Sequence, residues 1–433
     1  MSKKILALII IACLSPIFFY KLGASSLVSF DEAWYAAIAK NQLTNFHPFK
    51  MTFNGQPFGD HPPAGFWLIA SSFKILGINE FSARFPSALL GLGCLALVFL
   101  ICRQMNSPAA GIASVFALVS SPWFISRARS ANLDIFLTFF FLLSFYFAFT
   151  RRRLLLIISL GFLFLTKTMI PWTIIPALIY FSGIQIIPHI LVSLLPFILW
   201  IFIQFPSPLA FLVRYFSIGI PESKISTNLW VNILRTKSYL HFGLGAIFRP
   251  LVLSLPAIIF KINTQSLSLL IFLITFLTPH IFSPKGQIWH LIPIFPVLII
   301  LSLTGFYFFI KKFTSPKLAS LLTLTLTLTI SIPQINRNWR EFIDIPAYFS
   351  DEAILSRESA KYPQNLTIDD RFAPVAVFYS GKTVWDQPEP DVTNFFSRRN
   401  SLLITHLWRL SSISSDRYQI LQTDRDMALI LIY

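Results

Sequence analysis

The sequence predicts an α-helical polytopic membrane protein of about eleven transmembrane helices, with interfacial helices in its first external loop and a small C-terminal α/β domain outside the membrane. Four observations predict it. The 433 residues are 55% hydrophobic and only 12% charged, with a mean hydropathy of +0.67, whereas a soluble domain carries roughly 25% charged residues. Apolar stretches of roughly 18 or more residues recur almost without charge, long enough to cross a hydrocarbon core as helices. The period-two alternation of a membrane barrel is absent over most of the length. Finally, the excess of 35 Lys and Arg over 19 Asp and Glu, a net charge of +16, collects in short loops on one side, as expected for cytoplasmic loops. That pattern removes the reason to invoke nucleic acid as a partner.

The elements follow in order from the alternation of apolar runs and charged loops. Residues 5–20, preceded by Lys3-Lys4, show no small-residue cleavage site after them and read as a retained first helix, cytoplasmic end first. The segment from 21 to 80 is then external. Within it Asp31 to Leu43 reads as a short amphipathic helix at headgroup depth, with Trp34 and Ile38 one turn apart. Pro62 to Leu76 is apolar but short and begins Pro-Pro, which places it on the membrane rather than across it. Residues 81–102 run in to Arg103, 108–125 run out to Arg127 and Arg129, and 131–150 return to Arg151-Arg152-Arg153. A short pair, 154–166 and 168–184, turns at Lys167 on the outer side, and 187–204 leads to an external loop over 205–245. Residues 246–260 reach Lys261, 265–282 come out to Lys285, 286–310 go in to Lys311, Lys312 and Lys317, and 318–333 come out last. Every short loop placed inside is basic or uncharged, which checks the orientation independently. From Asn336 onward charges of both signs appear and apolar runs shorten. Leu366–Ile368, Val375–Tyr379, Ser401–Ile404 and Ala428–Tyr433 read as strands. The expected domains are therefore 1–333, transmembrane, and 334–433, a small external α/β domain.

This topology brings Asp31, Glu32, Asp60, His61, Arg127, Arg129, Asp134, Lys167, His241, Arg249 and Lys285 to one face. Singly, most have a plain structural use. Asp31 and Glu32 suit the start of a helix, Asp60 suits a turn before Pro62-Pro63, and Lys167 and Lys285 suit snorkelling at helix ends. Asp134, in the outer end of a span, needs a cationic partner, and Arg127 or Arg129 can supply it. Collectively they are harder to explain, because three of only 19 acidic residues fall between Phe30 and Pro63. Cys13, Cys94 and Cys102 lie in or beside apolar spans and suggest neither a disulfide framework nor a metal cluster.

Several stretches carry a family resemblance. The run Phe30-Asp31-Glu32-Ala33-Trp34-Tyr35-Ala36-Ala37-Ile38-Ala39, then Gly55-Gln56-Pro57, Asp60-His61-Pro62-Pro63-Ala64-Gly65-Phe66-Trp67, Gly77 to Glu80 and Arg84-Phe85-Pro86-Ser87 resembles the polyprenyl-phosphate-dependent glycosyltransferases of the GT-C class. The nearest groups are the bacterial aminoarabinose transferases that modify lipid A and the protein O-mannosyltransferase-like family. Arg129-Ser130-Ala131-Asn132-Leu133-Asp134, Leu165-Thr166-Lys167-Thr168 and Ser283-Pro284-Lys285-Gly286 continue it in order. The resemblance covers most of the membrane part, and the first loop is its specific piece.

The resemblance implies a GT-C fold and inverting transfer of a sugar from polyprenyl (undecaprenyl) phosphate to a lipid A, glycan or protein hydroxyl acceptor. The site would lie at the outer face of the cell inner membrane, with the C-terminal domain facing the periplasm or exterior. It implies Asp31 as general base, with Glu32 and Asp134 completing the catalytic acids. His61, Arg129, Lys167, Arg249 and Lys285 would bind the donor phosphate, and Asp60 with His241 would hold a divalent metal ion such as zinc, magnesium or manganese. At His61 the family usually has lysine. These residue types suit the chemistry, since displacement at an anomeric carbon needs a carboxylate to take the acceptor proton and cations to stabilise the departing phosphate. A transporter or lipid-linked sugar flippase is the rival from another class; such proteins usually show internal repeats and helices broken at mid-membrane, and no repeat is visible here.

Overall fold

The computed structural model describes residues 3–28, 30–44, 47–167, 169–217, 228–282 and 286–433. They fall into two compact units. One comprises Met1–Lys21, Gly59–Gly65 and Phe85–Ile345, and the other Leu22–Phe58, Phe66–Arg84 and Pro346–Tyr433. Most of the first predicted external loop therefore shares a unit with the C-terminal segment.

The first unit is built of apolar helices. Glu80–Gln104, which begins in the other unit, and Ile184–Gln204, Leu229–Lys261, Thr264–Phe282, Ile288–Phe313 and Pro316–Ile343 are each long and apolar enough to cross a membrane; the bent pair Pro108–Val119 and Pro122–Ala128 is a seventh if taken as one span. Shorter apolar helices cover Ile5–Phe19, Asp134–Phe149, Arg153–Phe164 and Ile170–Ser182. The chain is a multi-pass membrane protein. With lipid on the outside there is little hydrophobic drive between helices, so packing and interhelical hydrogen bonds hold them together. Phe141 and Phe145 pack on Phe272 at 4.8 and 5.2 Å. Buried hydroxyls donate across helices, Ser302 to the Leu251 carbonyl at 2.9 Å and Ser268 to that of Ala177 at 2.8 Å.

Two expectations in this unit change. The span expected over 108–125 bends by 73° between Val119 and Pro122. Ser121 caps the second helix by accepting from the Phe124 N–H, and Pro122 occupies the first turn, where its missing N–H costs nothing. The segment expected as a loop over 205–245 contains Pro208–Ser217 and a helix Leu229–Leu244 that leads on to Lys261. Arg235, Lys237 and His241 depress its hydropathy, but Asn228 caps its start and Leu229, Trp230, Val231 and Leu234 are left exposed as a lipid-compatible surface.

The second unit contains helices Asp31–Thr44 and Ala64–Leu76, the latter entering from the first unit, and a hairpin of β1 (Met51–Phe53) and β2 (Gln56–Phe58). The register pairs Phe53 with Gln56, leaving Asn54 and Gly55, with φ of +49° and +74°, as a two-residue turn of the kind Asn-Gly favours. Its larger sheet uses β3 (Leu366–Ile368), β4 (Val384–Asp386), β5 (Ser401–His406), β6 (Tyr418–Asp424) and β7 (Met427–Ile432) in the order β4-β3-β5-β7-β6. The β4-β3-β5 pairs are parallel and the β5-β7-β6 pairs antiparallel. Phe395, Phe396, Leu403, Leu410 and Ile430 form part of the core on one side. The strand expected over Val375–Tyr379 is instead a helix, Pro374–Ser380. Pro374 sits in its first turn and Gly381, in the left-handed region at φ +67°, ends it, a start and a stop that outweigh the β-branched composition.

The two units are internally tied by polar contacts that the sequence hides. In the second unit, Asn54 exchanges two 2.7 Å bonds with the Val384 backbone, donating to its carbonyl and accepting from its N–H. Glu80 accepts from Arg357 at 2.6 Å and from the Tyr379 hydroxyl at 3.0 Å, and that hydroxyl accepts from the Leu27 N–H. These contacts explain why the loop residues and the C-terminal segment form one body.

Candidate functional site

In the first unit the chain builds a charged centre on Asp134. The helix Asp134–Phe149 begins there because Asn132 turns its side-chain oxygen onto the Asp134 N–H at 2.9 Å, while its amide donates to the carbonyls of Arg127 and Ser130. That turn fixes both the carboxylate and the arginine above it. Asp134 is 1% exposed. One carboxylate oxygen accepts from Arg127 Nε at 3.0 Å and Nη2 at 2.7 Å, and the other accepts from Lys167 Nζ at 2.7 Å. Arg127 also lies over the Trp289 ring at 5.8 Å, and Trp289 stacks on Trp123 at 6.1 Å.

Both Asp134 oxygens are thus engaged by cations, so this carboxylate is not poised to take a proton. Two cations thus converge on one buried carboxylate, and a phosphate oxygen is a natural complement for a lysine and an arginine placed side by side.

The loop 59–65 completes this region. The Ala64 N–H donates to the Leu165 carbonyl at 2.9 Å, and Gly65 is needed because a Cβ there would stand 2.2 Å from Leu133. His61, on this loop, feels the charges of Lys167, Asp134 and His290; burial of its ring, then Lys167, pulls its pKa down to about 3. At neutral pH the ring is uncharged, so it adds no cation to the centre. It offers a neutral donor or acceptor.

The second unit holds the other acidic pair. Phe30, in the left-handed region at φ +68°, leads into helix Asp31–Thr44. A non-glycine residue there costs about 1 kcal/mol or more and is often found beside functional groups. Glu32 is 6% exposed and fully occupied: its carboxylate receives Arg84 Nε at 2.8 Å and Nη2 at 2.9 Å, and the Val28 N–H at 2.9 Å. Arg84 spends its other donors on the carbonyls of Leu22, Ser25 and Ser26. Glu32 is therefore a clamp between the start of the loop and helix Glu80–Gln104. Asp31, beside it, is partly exposed at the helix N-terminus.

The remaining sequence candidates are placed as follows. Arg129 donates to the carbonyls of Ile17 at 2.9 Å and Tyr20 at 2.8 Å, capping the first helix. Arg249 is exposed on helix Phe248–Ser254, and Lys285 lies outside the described residues. Asp60 is exposed, and the His241 ring packs on Phe248 at 5.4 Å. A zinc site needs about three or four protein donors, whereas magnesium is commonly held by one or two carboxylates with water and phosphate oxygens. Among the described residues no group of three His, Cys, Asp or Glu side chains is placed to hold an ion. Asp60 and His241 alone fall short of a zinc set. The structure thus brings His61, Asp134 and Lys167 together in one unit and adds Arg127, Trp289 and His290. Arg127 was legible as a partner of Asp134; Trp289 and His290, in an otherwise apolar run, gave no signal.

Comparisons with known proteins bear on both the fold and this centre. Against the crystal structure of ArnT from Cupriavidus metallidurans bound to undecaprenyl phosphate, the chain aligns over 98% of its own length and 97% of the other, with a TM-score of 0.73 at 14% identity. The chain has the GT-C fold. Within that fold, residues 60–215 match the family model described as dolichyl-phosphate-mannose-protein mannosyltransferase, a span that includes His61, Arg127, Asp134 and Lys167. An undecaprenyl phosphate-alpha-4-amino-4-deoxy-L-arabinose arabinosyl transferase of Pseudomonas fluorescens is 32% identical over 197 residues, covering 41% of this chain and 35% of that protein. A polyprenol-phosphate-mannose–protein mannosyltransferase of Mycobacterium tuberculosis is 40% identical over 118 residues, covering 27% and 22%. The chain spans about a third of the length of the arabinosyl transferases it matches.

Proposed function

We propose that this GT-C protein is an inverting glycosyltransferase that takes a sugar from a polyprenyl phosphate donor and passes it to an envelope acceptor: lipid A, a glycan or a protein hydroxyl. The observation that carries the reading is the Asp134 centre, where one buried carboxylate holds Lys167 and Arg127 side by side within the matched 60–215 region. Paired, pre-positioned cations are what a departing lipid phosphate requires, since charge accumulates on the phosphate as the anomeric bond breaks.

In this mechanism Lys167 and Arg127 receive the phosphate, Asp134 holds both cations in place, and neutral His61 supplies a hydrogen bond without adding charge. Asp31 takes the acceptor proton. It is preferred to Glu32 because Glu32 is committed to Arg84, whereas Asp31 is partly exposed. The names of the relatives, an arabinosyl transferase and a mannosyltransferase that use polyprenyl phosphate sugars, support the donor class. The basic span ends at Arg103, Arg151–Arg153, Lys261, Lys311 and Lys312 support a cytoplasmic placement for those ends, and hence a periplasmic or exterior site in the inner membrane. The test is transfer from a labelled undecaprenyl phosphate sugar by the purified full chain. Asp31→Asn is expected to cut turnover by about 100-fold or more with donor binding retained; full turnover in that variant removes Asp31 as the base.

A further inference from the structure

A second feature of the first unit has no part in this chemistry. The segment Leu255–Lys261 crosses close over helix Phe295–Phe313 because Gly305 has no side chain: a Cβ there would stand 2.4 Å from the Ile258 nitrogen. Beside that crossing runs a groove of about 510 Å³ whose lining, including Leu253, Pro256, Phe260, Phe309 and Leu326, is almost wholly apolar. It is open, since Leu253 is 82% and Leu326 50% exposed.

Lysines gather at one end of the groove. Lys261 and Lys311 lie over the same Phe308 ring at 4.6 and 5.4 Å, and Lys312 lies over Phe260, a groove residue, at 5.2 Å. Among the described residues no carboxylate pairs with any of the three, and the sequence has no Asp or Glu between Glu222 and Glu341. An apolar channel in the membrane part, closed at one end by three uncompensated ammonium groups, has the two chemistries of an anionic lipid in the right order. The volume is that of a small-ligand pocket, suited to acyl chains rather than to a long polyprenyl tail.

We propose that this groove is a binding site for an anionic glycerophospholipid, its acyl chains along Leu253, Phe309 and Leu326 and its phosphate at Lys261, Lys311 and Lys312. The site is separate from the Asp134 centre and does not depend on the donor reading. Native mass spectrometry of the purified full chain, titrated with phosphatidylglycerol and with phosphatidylcholine of the same acyl chains, reads it directly. Phosphatidylglycerol is expected to be retained about tenfold or more tightly. The triple variant K261Q/K311Q/K312Q is expected to lose that preference, and Ser254→Trp, which fills the groove with the lysines intact, to weaken retention of both lipids. Equal retention of the two lipids by the unaltered chain overturns the proposal, as does a preference that survives the triple variant. Tighter lysine-dependent retention of undecaprenyl phosphate than of phosphatidylglycerol overturns the assignment to a glycerophospholipid.

Discussion

Glu32 and Asp134 are both nearly buried carboxylates bonded to arginine, yet they sit in opposite electrostatic situations. In the second unit one glutamate meets one arginine, and Arg84 has no donor left for a ligand because the rest go to backbone carbonyls. That cluster is closed: neutral, internally satisfied, and useful only for holding a loop against a helix. In the first unit one aspartate is shared by an arginine and a lysine, so a single carboxylate orients two cations. A carboxylate that neutralises its partner completely reads as structure, whereas one that orients two cations reads as a seat for an incoming anion.

The largest expected effect separates the two clusters by stability. Arg84→Gln leaves Glu32 buried without its counter-charge and should destabilise the protein by about 3–5 kcal/mol, the usual cost of breaking a buried pair from one side. Denaturant unfolding in detergent would show it, and an unchanged midpoint would mean that the clamp is ornamental. Lys167→Gln should be far milder, since Arg127 still compensates Asp134, and should fall mainly on turnover, by about 100-fold.

A pH titration sharpens the contrast. His61 has its pKa lowered to about 3, so between that value and its ordinary 6.5 the unfolded chain binds the proton more readily; stability present above pH 6.5 is lost as pH falls. Glu352, in the second unit, is pushed up to about 7 by burial, so its contribution is present below pH 4.5 and is lost as pH rises through 7. Lowering pH from 7 to 5 should therefore weaken the first unit by about 1–2 kcal/mol while favouring the second. Hydrogen exchange followed unit by unit tests this, with His61→Gln expected to reduce the first response and Glu352→Gln the second.

The smallest effect concerns the hairpin. Asn54→Ala removes both bonds to Val384 and places alanine at a left-handed position, for a loss of about 1–2 kcal/mol. A thermal midpoint within error of the unaltered protein would show that the hairpin contact carries no weight.

Much of this was legible in the sequence, for identifiable reasons. Spans announce themselves by composition, because only an apolar helix can satisfy its backbone in lipid, and Asp134 announces itself because a carboxylate at the end of a span needs partners. The Asn-Gly turn and the Pro374 to Gly381 helix are written in local signals, although the β-branched composition of the second favours a strand. What composition could not reveal was pairing at a distance. Glu32 and Asp31 look equivalent in sequence, and only Arg84, 52 positions away from Glu32, decides that one is clamped. Similarly, Arg127 and Arg129 look interchangeable, but the helix Pro122–Ala128 turns one to Asp134 and leaves the other to cap the first helix. The bend at Ser121 that sets this geometry hides in a run whose average hydropathy is that of an ordinary span.

The central claim is that the two cations held by Asp134 seat a lipid phosphate. The most direct measurement is the affinity of the purified chain for undecaprenyl phosphate without sugar, compared between the unaltered protein and Lys167→Gln at matched folded fraction. A loss of about tenfold to 100-fold, as expected for one charge-assisted bond to phosphate, with the unfolding midpoint nearly unchanged, is the predicted result. Equal affinity in the two proteins contradicts it, for then the lysine serves only to neutralise Asp134 and the two clusters are of the same kind.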